Sequence, residues 1–247
     1  PGVEALDGFL AVKAMEEQLG PENIPAPAFV AGHSLGEFTA LAVTGVLDVG
    51  ETAWLVQERG RLMQKACEQR PGTMAAVLGL DEMTLEEISR ETGTYISNVN
   101  TAEQIVISGD VMAVAQALDL AIARGAKKVI PLRVGGAFHS ALMEPARTGL
   151  IAAVSSLSFK DPVVPIVANC TGKPLQKGSG VKREIINQII TCVQWKRSMD
   201  YMMKRGVSQF VEIGPGRTLS SMVKRIDRSA SAVSVGNVEA ILNLRKN

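Results

Sequence analysis

One short motif constrains this chain more than any other: a serine between two glycines, directly after an apolar run. The motif is Gly32-His33-Ser34-Leu35-Gly36, and Ala28-Phe29-Val30 precedes it. Glycines at these positions allow a sharp turn that a Cβ atom would obstruct. Such a turn between a strand and a helix exposes the serine hydroxyl at a helix N-terminus, where free N–H groups can stabilise an oxyanion. Ser34 is therefore a candidate nucleophile for acyl transfer.

The residues after the motif favour this position for Ser34. Phe38, Leu41 and Val46 recur at helical spacing, and Gly45 is a suitable residue for the end of a helix. The alternative is a glycine-rich turn with a buried serine and no chemistry.

Composition and charge limit the classes of protein that this chain can belong to. Its 247 residues are 46% hydrophobic, which is enough to bury a large core in one or two domains. The net charge of +1 argues against a dedicated nucleic-acid binder. No apolar run is long enough to span a bilayer, and no signal-peptide pattern opens the chain. The three cysteines are widely spaced and form no metal-type pair, so we expect reduced cysteines in a cytoplasmic protein: Cys67, Cys170 and Cys192.

The middle of the chain predicts a compact insert in a larger α/β domain. Its predicted elements are a strand at 73–80, a helix at 84–92, strands at 95–99 and 104–108, a helix at 111–124 and a strand at 127–132. A capping box from Thr84 to Glu87 is expected to begin the first helix. The order β-α-β-β-α-β is the ferredoxin-like arrangement. We therefore predict an α/β fold with two parts: a large α/β-hydrolase-like domain with a parallel sheet (residues 1–71 and 134–247) and an inserted ferredoxin-like subdomain (residues 72–133).

A serine nucleophile needs a base near neutral pH, and the chain has two histidines. His33 is adjacent to Ser34, and neighbours on a strained turn rarely face each other well. His139 is therefore the better candidate, with a purely structural histidine as the alternative. No carboxylate is singled out as the partner that orients His139, which weakens a Ser-His-Asp hydrolase interpretation. A backbone or side-chain carbonyl could orient the imidazole equally well.

Arg59 is a candidate for binding the acyl group. It lies in a predicted helix that follows the helix after Ser34, so it can reach the same pocket. A buried guanidinium fits a free carboxylate through two hydrogen bonds. The spacing alone nevertheless favours an ordinary surface arginine.

Six segments in a fixed order resemble those of a known family: AGHSLGEFTAL, ERGRLMQKA, GTMAAVLGL, GAFHSALM, CVQW and VEIGPGRTLSSMV. Together they resemble the malonyl-CoA:acyl carrier protein transacylases of type II fatty acid synthesis. The acyltransferase domains of polyketide synthases are a wider match. The resemblance covers nearly the whole chain.

This resemblance implies a role for each matching residue. Ser34 would be the acylated nucleophile, and His139 would be the general base and acid. Arg59 would pair with the free carboxylate of the malonyl group. The remaining implied roles are an oxyanion donor in the backbone N–H of Leu35, a backbone carbonyl of Gln188 that holds His139, and pocket-lining side chains of Met63 and Phe138.

The resemblance also implies the partners of the chain. Malonyl-CoA would be a substrate, the phosphopantetheinylated acyl carrier protein would be the acceptor, and no cofactor or metal would be permanently bound. A cytoplasmic monomer that binds neither nucleic acid nor membrane is expected. Because carrier protein is acidic, a basic rim near the pocket is expected from Lys127, Lys128, Lys196, Arg197, Lys204 and Arg205. Two other functions stay open: a serine esterase or thioesterase, and an inactive module that binds carrier protein.

Three departures from the family pattern are visible. The Gly-Gln-Gly-Ser-Gln segment of the family does not occur in this sequence. In the family it supplies a strand of the large domain and a second oxyanion donor. Ala141 and Cys192 stand where proline is common, and we expect both substitutions to be tolerated.

Overall fold

The computed structural model describes residues 26–237 and 239–240, which form a mixed α/β fold. The helices of this part are α1 (Leu35–Val43), α2 (Val49–Gln69), α3 (Glu82–Thr92), α4 (Val111–Ala123), α5 (Glu144–Ser155), α6 (Gly178–Gln188), α7 (Trp195–Lys204) and α8 (Thr218–Ile226). The strands are β1 (Val30–Ala31), β2 (Thr73–Leu78), β3 (Tyr95–Thr101), β4 (Gln104–Gly109), β5 (Lys128–Pro131), β6 (Ile166–Val167), β7 (Pro174–Leu175), β8 (Gln209–Ile213) and β9 (Ser231–Val235). Within the described residues, no helix is both long and apolar enough to cross a membrane.

The middle of the chain forms a four-stranded antiparallel sheet in the order β3-β4-β2-β5. Successive side chains of a strand point to opposite faces, and β2 shows this alternation. Ala75 and Val77 pack in one core cluster with residues of α3 and α4. Met74 and Ala76 belong to the cluster on the other face, which Phe138 also contacts. Both faces of this sheet are therefore covered, one by its own helices and one by the larger part of the chain.

The predicted helices and strands of this segment occur in the predicted order, with ends that differ from the predicted bounds by one or two residues. The capping box at Thr84 is wrong, because the cap of α3 is Asp81. The Asp81 side chain accepts a hydrogen bond from the Thr84 backbone N–H at 2.8 Å, and the helix begins at Glu82. Strand β2 ends at Leu78 rather than Leu80, because Gly79 has a φ of +89° and turns the chain out of the strand.

The described residues of the larger part of the chain form two small sheets. Strand β1 pairs with β6 in parallel, and β6 pairs with β7 in antiparallel orientation. Strands β8 and β9 form a second, parallel pair. The prediction of one parallel sheet is therefore wrong in part. The apolar run at 163–168 predicts a further strand, but the observed β6 is shorter, since proline cannot donate to a ladder and pairing starts after Pro165 at Ile166.

The serine motif forms the connection between β1 and α1, as predicted. Strand β1 ends at Ala31 and α1 begins at Leu35, so the turn has three residues, 32–34, and is called the elbow. A Cβ atom at Gly32 would lie 2.0 Å from the carbonyl carbon of Gly36, whereas a Cβ at Gly36 would meet nothing within 4 Å. The turn is thus so tight that a side chain at Gly32 would clash with the backbone, whereas Gly36 has room for one.

This difference between the two glycines is testable. Gly32→Ala forces a backbone shift at the elbow and is expected to lower the free energy of unfolding by about 2–3 kcal/mol. Gly36→Ala is the matched control and is expected to raise it by about 0.4–1 kcal/mol, because alanine reduces the entropy of the unfolded chain. Chemical denaturation of both variants measures the effect. Equal stability of the two variants would contradict the close packing described here.

Candidate active site

The backbone of the elbow is strained at the serine itself. Ser34 has φ 50° and ψ −103°, and His139 has φ 56°. These are the only residues other than glycine with positive φ in the described part of the chain. Strain of this kind concentrates at functional sites, where the surrounding structure must hold it in place. The two strained residues face each other.

Ser34, His139 and Gln188 form a continuous chain of hydrogen bonds. The Ser34 hydroxyl lies 2.8 Å from His139 Nε2, and His139 Nδ1 lies 2.8 Å from the backbone carbonyl oxygen of Gln188. A carbonyl oxygen can only accept, so Nδ1 carries the proton and Nε2 offers its lone pair to the serine hydroxyl. The imidazole is therefore oriented to take a proton from Ser34.

His139 is held in its neutral form. Its side chain is buried, with 4% of its surface exposed. Burial and the nearby positive charge of Arg59 lower the pKa of His139 to about 3, although the Gln188 carbonyl opposes this shift. The imidazole is thus a free base at neutral pH.

Arg59 lies beside the serine, where α2 crosses the elbow. Its Nη2 donates to the Ser34 hydroxyl oxygen at 3.1 Å and to Gln188 Oε1 at 3.4 Å. Only 6% of Arg59 is exposed, so the surface arginine favoured by spacing alone is wrong. Burial lowers the pKa of Arg59 to about 10, and the nearby Glu37 opposes this shift. The guanidinium therefore stays charged at neutral pH.

The charge of Arg59 is incompletely matched in this structure. Its guanidinium carbon lies 5.1 Å from the centre of the Phe38 ring, and its buried Nε has no hydrogen-bond partner among the described residues. None of the described carboxylates lies within ion-pair distance of it. A buried cation of this kind favours an anionic ligand.

The other predicted residues surround this group. Leu35 is the first residue of α1, where backbone N–H groups have no acceptor within the helix. Met63 follows Arg59 by one turn of α2 and is buried in the main core cluster. Phe138 is half-buried, packs against that cluster, and its carbonyl oxygen accepts a hydrogen bond from the Ser97 hydroxyl at 3.0 Å.

His33 does not face the serine, as expected from its position. Its Nε2 lies 2.9 Å from Asn100 Oδ1 at the end of β3, and its ring lies against that of Trp195 with 5.4 Å between centroids. Burial lowers the pKa of His33. This contact ties the elbow to the four-stranded sheet and leaves His139 as the base.

The sequence analysis did not identify Asn169, which holds the elbow from the turn after the neighbouring strand β6. Its Oδ1 accepts from the Ser34 backbone N–H at 2.8 Å, and its Nδ2 donates to the Gly32 carbonyl oxygen at 2.7 Å. A usable signal was present, because Asn169 follows a predicted strand. The carboxyl ends of parallel strands meet at one edge of a sheet, so a polar residue there lies near the residue after the neighbouring strand.

Glu37 and the side chain of Gln188 were also missed. Glu37 is fully buried, although a charged residue in the first turn of a helix is ordinarily exposed. Burial and the nearby Glu184 raise the pKa of Glu37 to about 8, while hydrogen bonds from Asn169 and Gln188 oppose the shift. No sequence pattern indicated that this carboxyl group turns inward.

Comparison with known proteins agrees with this geometry. Residues 11–246 match the acyl transferase domain family. The malonyl CoA-acyl carrier protein transacylase of Bacillus subtilis is 37% identical over 220 residues, which cover 87% of this chain and 69% of that protein. The solved structure of the same enzyme from Coxiella burnetii has a TM-score of 0.93 at 32% identity and covers 98% of this chain and 77% of that one.

A further solved structure contains a partner. It is a type II polyketide synthase acyl carrier protein in complex with its malonyl-transacylase, with a TM-score of 0.91 at 34% identity. The match covers 97% of this chain and 79% of that one. The chain therefore belongs to the acyl transferase domain family, among the malonyl-CoA:acyl carrier protein transacylases.

Proposed function

We propose that this chain transfers the malonyl group from malonyl-CoA to the phosphopantetheine thiol of acyl carrier protein. The observation that carries the proposal is the Ser34–His139–Gln188 hydrogen-bond chain with the buried cation of Arg59 beside the serine hydroxyl. The relatives named above are malonyl transacylases, and one neighbouring structure holds a carrier protein.

The proposed reaction has two steps that share one intermediate. In the first, Ser34 Oγ attacks the thioester carbonyl while His139 Nε2 takes its proton. The carbon–sulfur bond breaks, His139 returns the proton to the departing coenzyme A, and a malonyl-serine ester remains. In the second, the carrier-protein thiol gives its proton to His139 and attacks the ester carbonyl, the carbon–oxygen bond to Ser34 breaks, and His139 returns the proton to the Ser34 oxygen. The backbone N–H of Leu35 would stabilise the oxyanion in both steps.

Arg59 would bind the free carboxylate of the malonyl group. Its buried Nε and the lack of a described ion-pair partner support this role. Met63 and Phe138 would line the acyl pocket, in keeping with their positions one helical turn from Arg59 and directly before His139. Every step uses a group of this chain or of its substrates, so we propose that no cofactor is permanently bound.

The basic rim for carrier protein is only partly supported. Lys128, Lys204 and Arg205 have no ion pair within the described residues and stay the better candidates. Three other members form ion pairs within the chain: Lys127 with Glu103 at 3.1 Å, Lys196 with Asp200 at 2.6 Å, and Arg197 with Glu82 at 3.3 Å. Such pairs offset part of the positive charge that would attract an acidic partner.

We also propose domain boundaries and a cellular location. The topology of residues 72–133 supports a ferredoxin-like subdomain inserted in an α/β-hydrolase-like domain of residues 1–71 and 134–247. Residues 1–25, 238 and 241–247 of that larger domain lie outside the described residues. All three cysteines are free thiols, which supports the cytoplasm. A monomeric state stays a prediction.

The first test is intact-protein mass after brief incubation with malonyl-CoA. We expect one malonyl group on the parent protein and none on Ser34→Ala. Added phosphopantetheinylated carrier protein should then remove the group much faster than water does. Loss to water at the same rate would favour the esterase alternative, and a folded parent protein without an adduct would favour the inactive binding module.

A second test concerns the choice of acyl group. Arg59→Ala is expected to lower kcat/KM for malonyl-CoA by about 100-fold or more, since a charge-assisted contact to the substrate is lost, while acetyl-CoA gains relative to malonyl-CoA. Arg61→Ala is the matched control, because Arg61 is exposed on the same helix and pairs with Glu58. An unchanged preference for malonyl-CoA in Arg59→Ala would remove Arg59 from the proposed pocket.

A third test concerns pH. The base form of His139 is the neutral form, and its pKa in the free protein is lowered from 6.5 to about 3. Because kcat/KM reports the free protein, its value for malonyl-CoA should stay level from about pH 7 down to about pH 5. An imidazole with an ordinary pKa would instead lose about 25-fold in kcat/KM over the same range. A decline with its midpoint near pH 6.5 would show that His139 is not held neutral.

A further inference from the structure

The first turn of α1 carries a sequence signature that the structure does not use in the usual way. Ser34-Leu35-Gly36-Glu37 matches the capping box, in which the serine hydroxyl and the glutamate side chain bond each other's backbone N–H. Here the Ser34 side chain makes no capping bond. The Glu37 N–H donates to the Ser34 carbonyl oxygen at 3.2 Å, and the Ser34 N–H donates to Asn169. The serine hydroxyl is therefore released to His139.

The Glu37 carboxyl group instead lies behind two side chains that hold the elbow. Its Oε1 accepts from the Asn169 backbone N–H at 3.0 Å, and its Oε2 accepts from Gln188 Nε2 at 2.8 Å. Glu37 has no exposed surface. Both groups that face it are N–H donors, so the position requires an acceptor at each oxygen.

Asn169 and Gln188 in turn control the reactive groups. Asn169 accepts from the Ser34 N–H, and Gln188 Nε2 donates to the Ser34 carbonyl oxygen at 2.8 Å. The Gln188 backbone carbonyl orients His139. Both backbone polar groups of the strained serine are thus held by residues that Glu37 holds.

We propose that Glu37 is a positioning residue, which aligns Asn169 and Gln188 so that the Ser34 hydroxyl meets His139 instead of capping its own helix. This inference rests on the proposed acyl transfer. Glu37 touches no reacting atom and acts through the two residues that it binds. Its loss would misplace the nucleophile and leave the binding of malonyl-CoA largely intact.

Glu37→Gln is the decisive variant, because it keeps the volume and presents an amide NH2 to one of the two N–H donors. The experiment measures the single-turnover rate of malonyl-serine formation by intact mass over a range of malonyl-CoA concentrations. We expect the maximal rate to fall about 10- to 100-fold, as for a small misplacement of reacting groups, with the half-saturating concentration changed less than about threefold. Glu37→Asp keeps an acceptor and should recover part of the rate.

Glu212→Gln is the matched control for the loss of a carboxyl group that accepts two N–H hydrogen bonds. Glu212 lies in β8, where its Oε1 accepts from the Leu219 N–H at 2.9 Å and its Oε2 accepts from the Ser220 N–H at 2.8 Å. Its replacement should lower thermal stability as Glu37→Gln does, with the acylation rate within about threefold of the parent. A rate loss as large as that of Glu37→Gln would mean that the loss of any such carboxyl group has the same effect, and would overturn the proposal.

A double-mutant cycle tests whether Glu37 acts through Asn169. If it does, Glu37→Gln should slow acylation less in the Asn169→Ala background than in the parent, and the loss that remains there measures the contribution of Gln188. If the rate losses of the two single variants multiply in the double variant, the two residues act independently and the proposal is overturned. An unchanged acylation rate in Glu37→Gln would also overturn it. Should Glu37→Gln not fold, Glu37→Asp enters the same cycle, and a rate equal to the parent's would likewise overturn it. A parent protein that forms no adduct would instead be a failure of the proposed function.

Discussion

The site depends on the hydrogen bonds that hold the backbone of Ser34 in a strained conformation. Positive φ at a residue other than glycine costs about 1–3 kcal/mol, and both Ser34 and His139 adopt it. The Ser34 N–H and C=O groups are bound by Asn169 and Gln188, which lie 135 and 154 residues further along the chain. The nucleophile is therefore assembled only when distant segments have packed, and its geometry belongs to the tertiary fold more than to the motif.

What the sequence could predict was the local part of this arrangement. Glycine, an apolar run and helical spacing placed the elbow around Ser34 correctly, and the apolar run at 209–213 predicts a strand at the observed bounds of β8. Errors arose where one residue overrode the pattern. Pro165 cannot donate a ladder hydrogen bond, so β6 has only two residues. Asp81, three residues before Thr84, caps α3 instead of Thr84. Helix α5 was not predicted, although a proline in its first turn is a standard start signal.

The rest could not be predicted because it consists of contacts between residues far apart in the chain. Arg59 has the spacing of a surface arginine, and its burial follows from the packing of α2 across the elbow. Glu37 gives no signal of its own, since a glutamate in a first helical turn is common at exposed positions. The position of Asn169 after a predicted strand places it near the serine turn, but its hydrogen bonds to Ser34 and Gly32 depend on packing. The family resemblance supplied the role of the Gln188 backbone and did not indicate its side chain.

The electrostatics of the pocket connect binding to catalysis. In the free protein, burial is the main cause that lowers the pKa of His139, and the charge of Arg59 adds to it. If Arg59 pairs with a substrate carboxylate, as proposed above, the contribution of its charge is offset and the pKa of His139 rises, while the effect of burial stays. The imidazole becomes a stronger base once a dicarboxylic acyl group is bound, because base strength follows pKa. A neutral acyl group does not offset the charge of Arg59. Arg59 would therefore favour a dicarboxylic acyl group in two ways, by binding its carboxylate and by making His139 a stronger base.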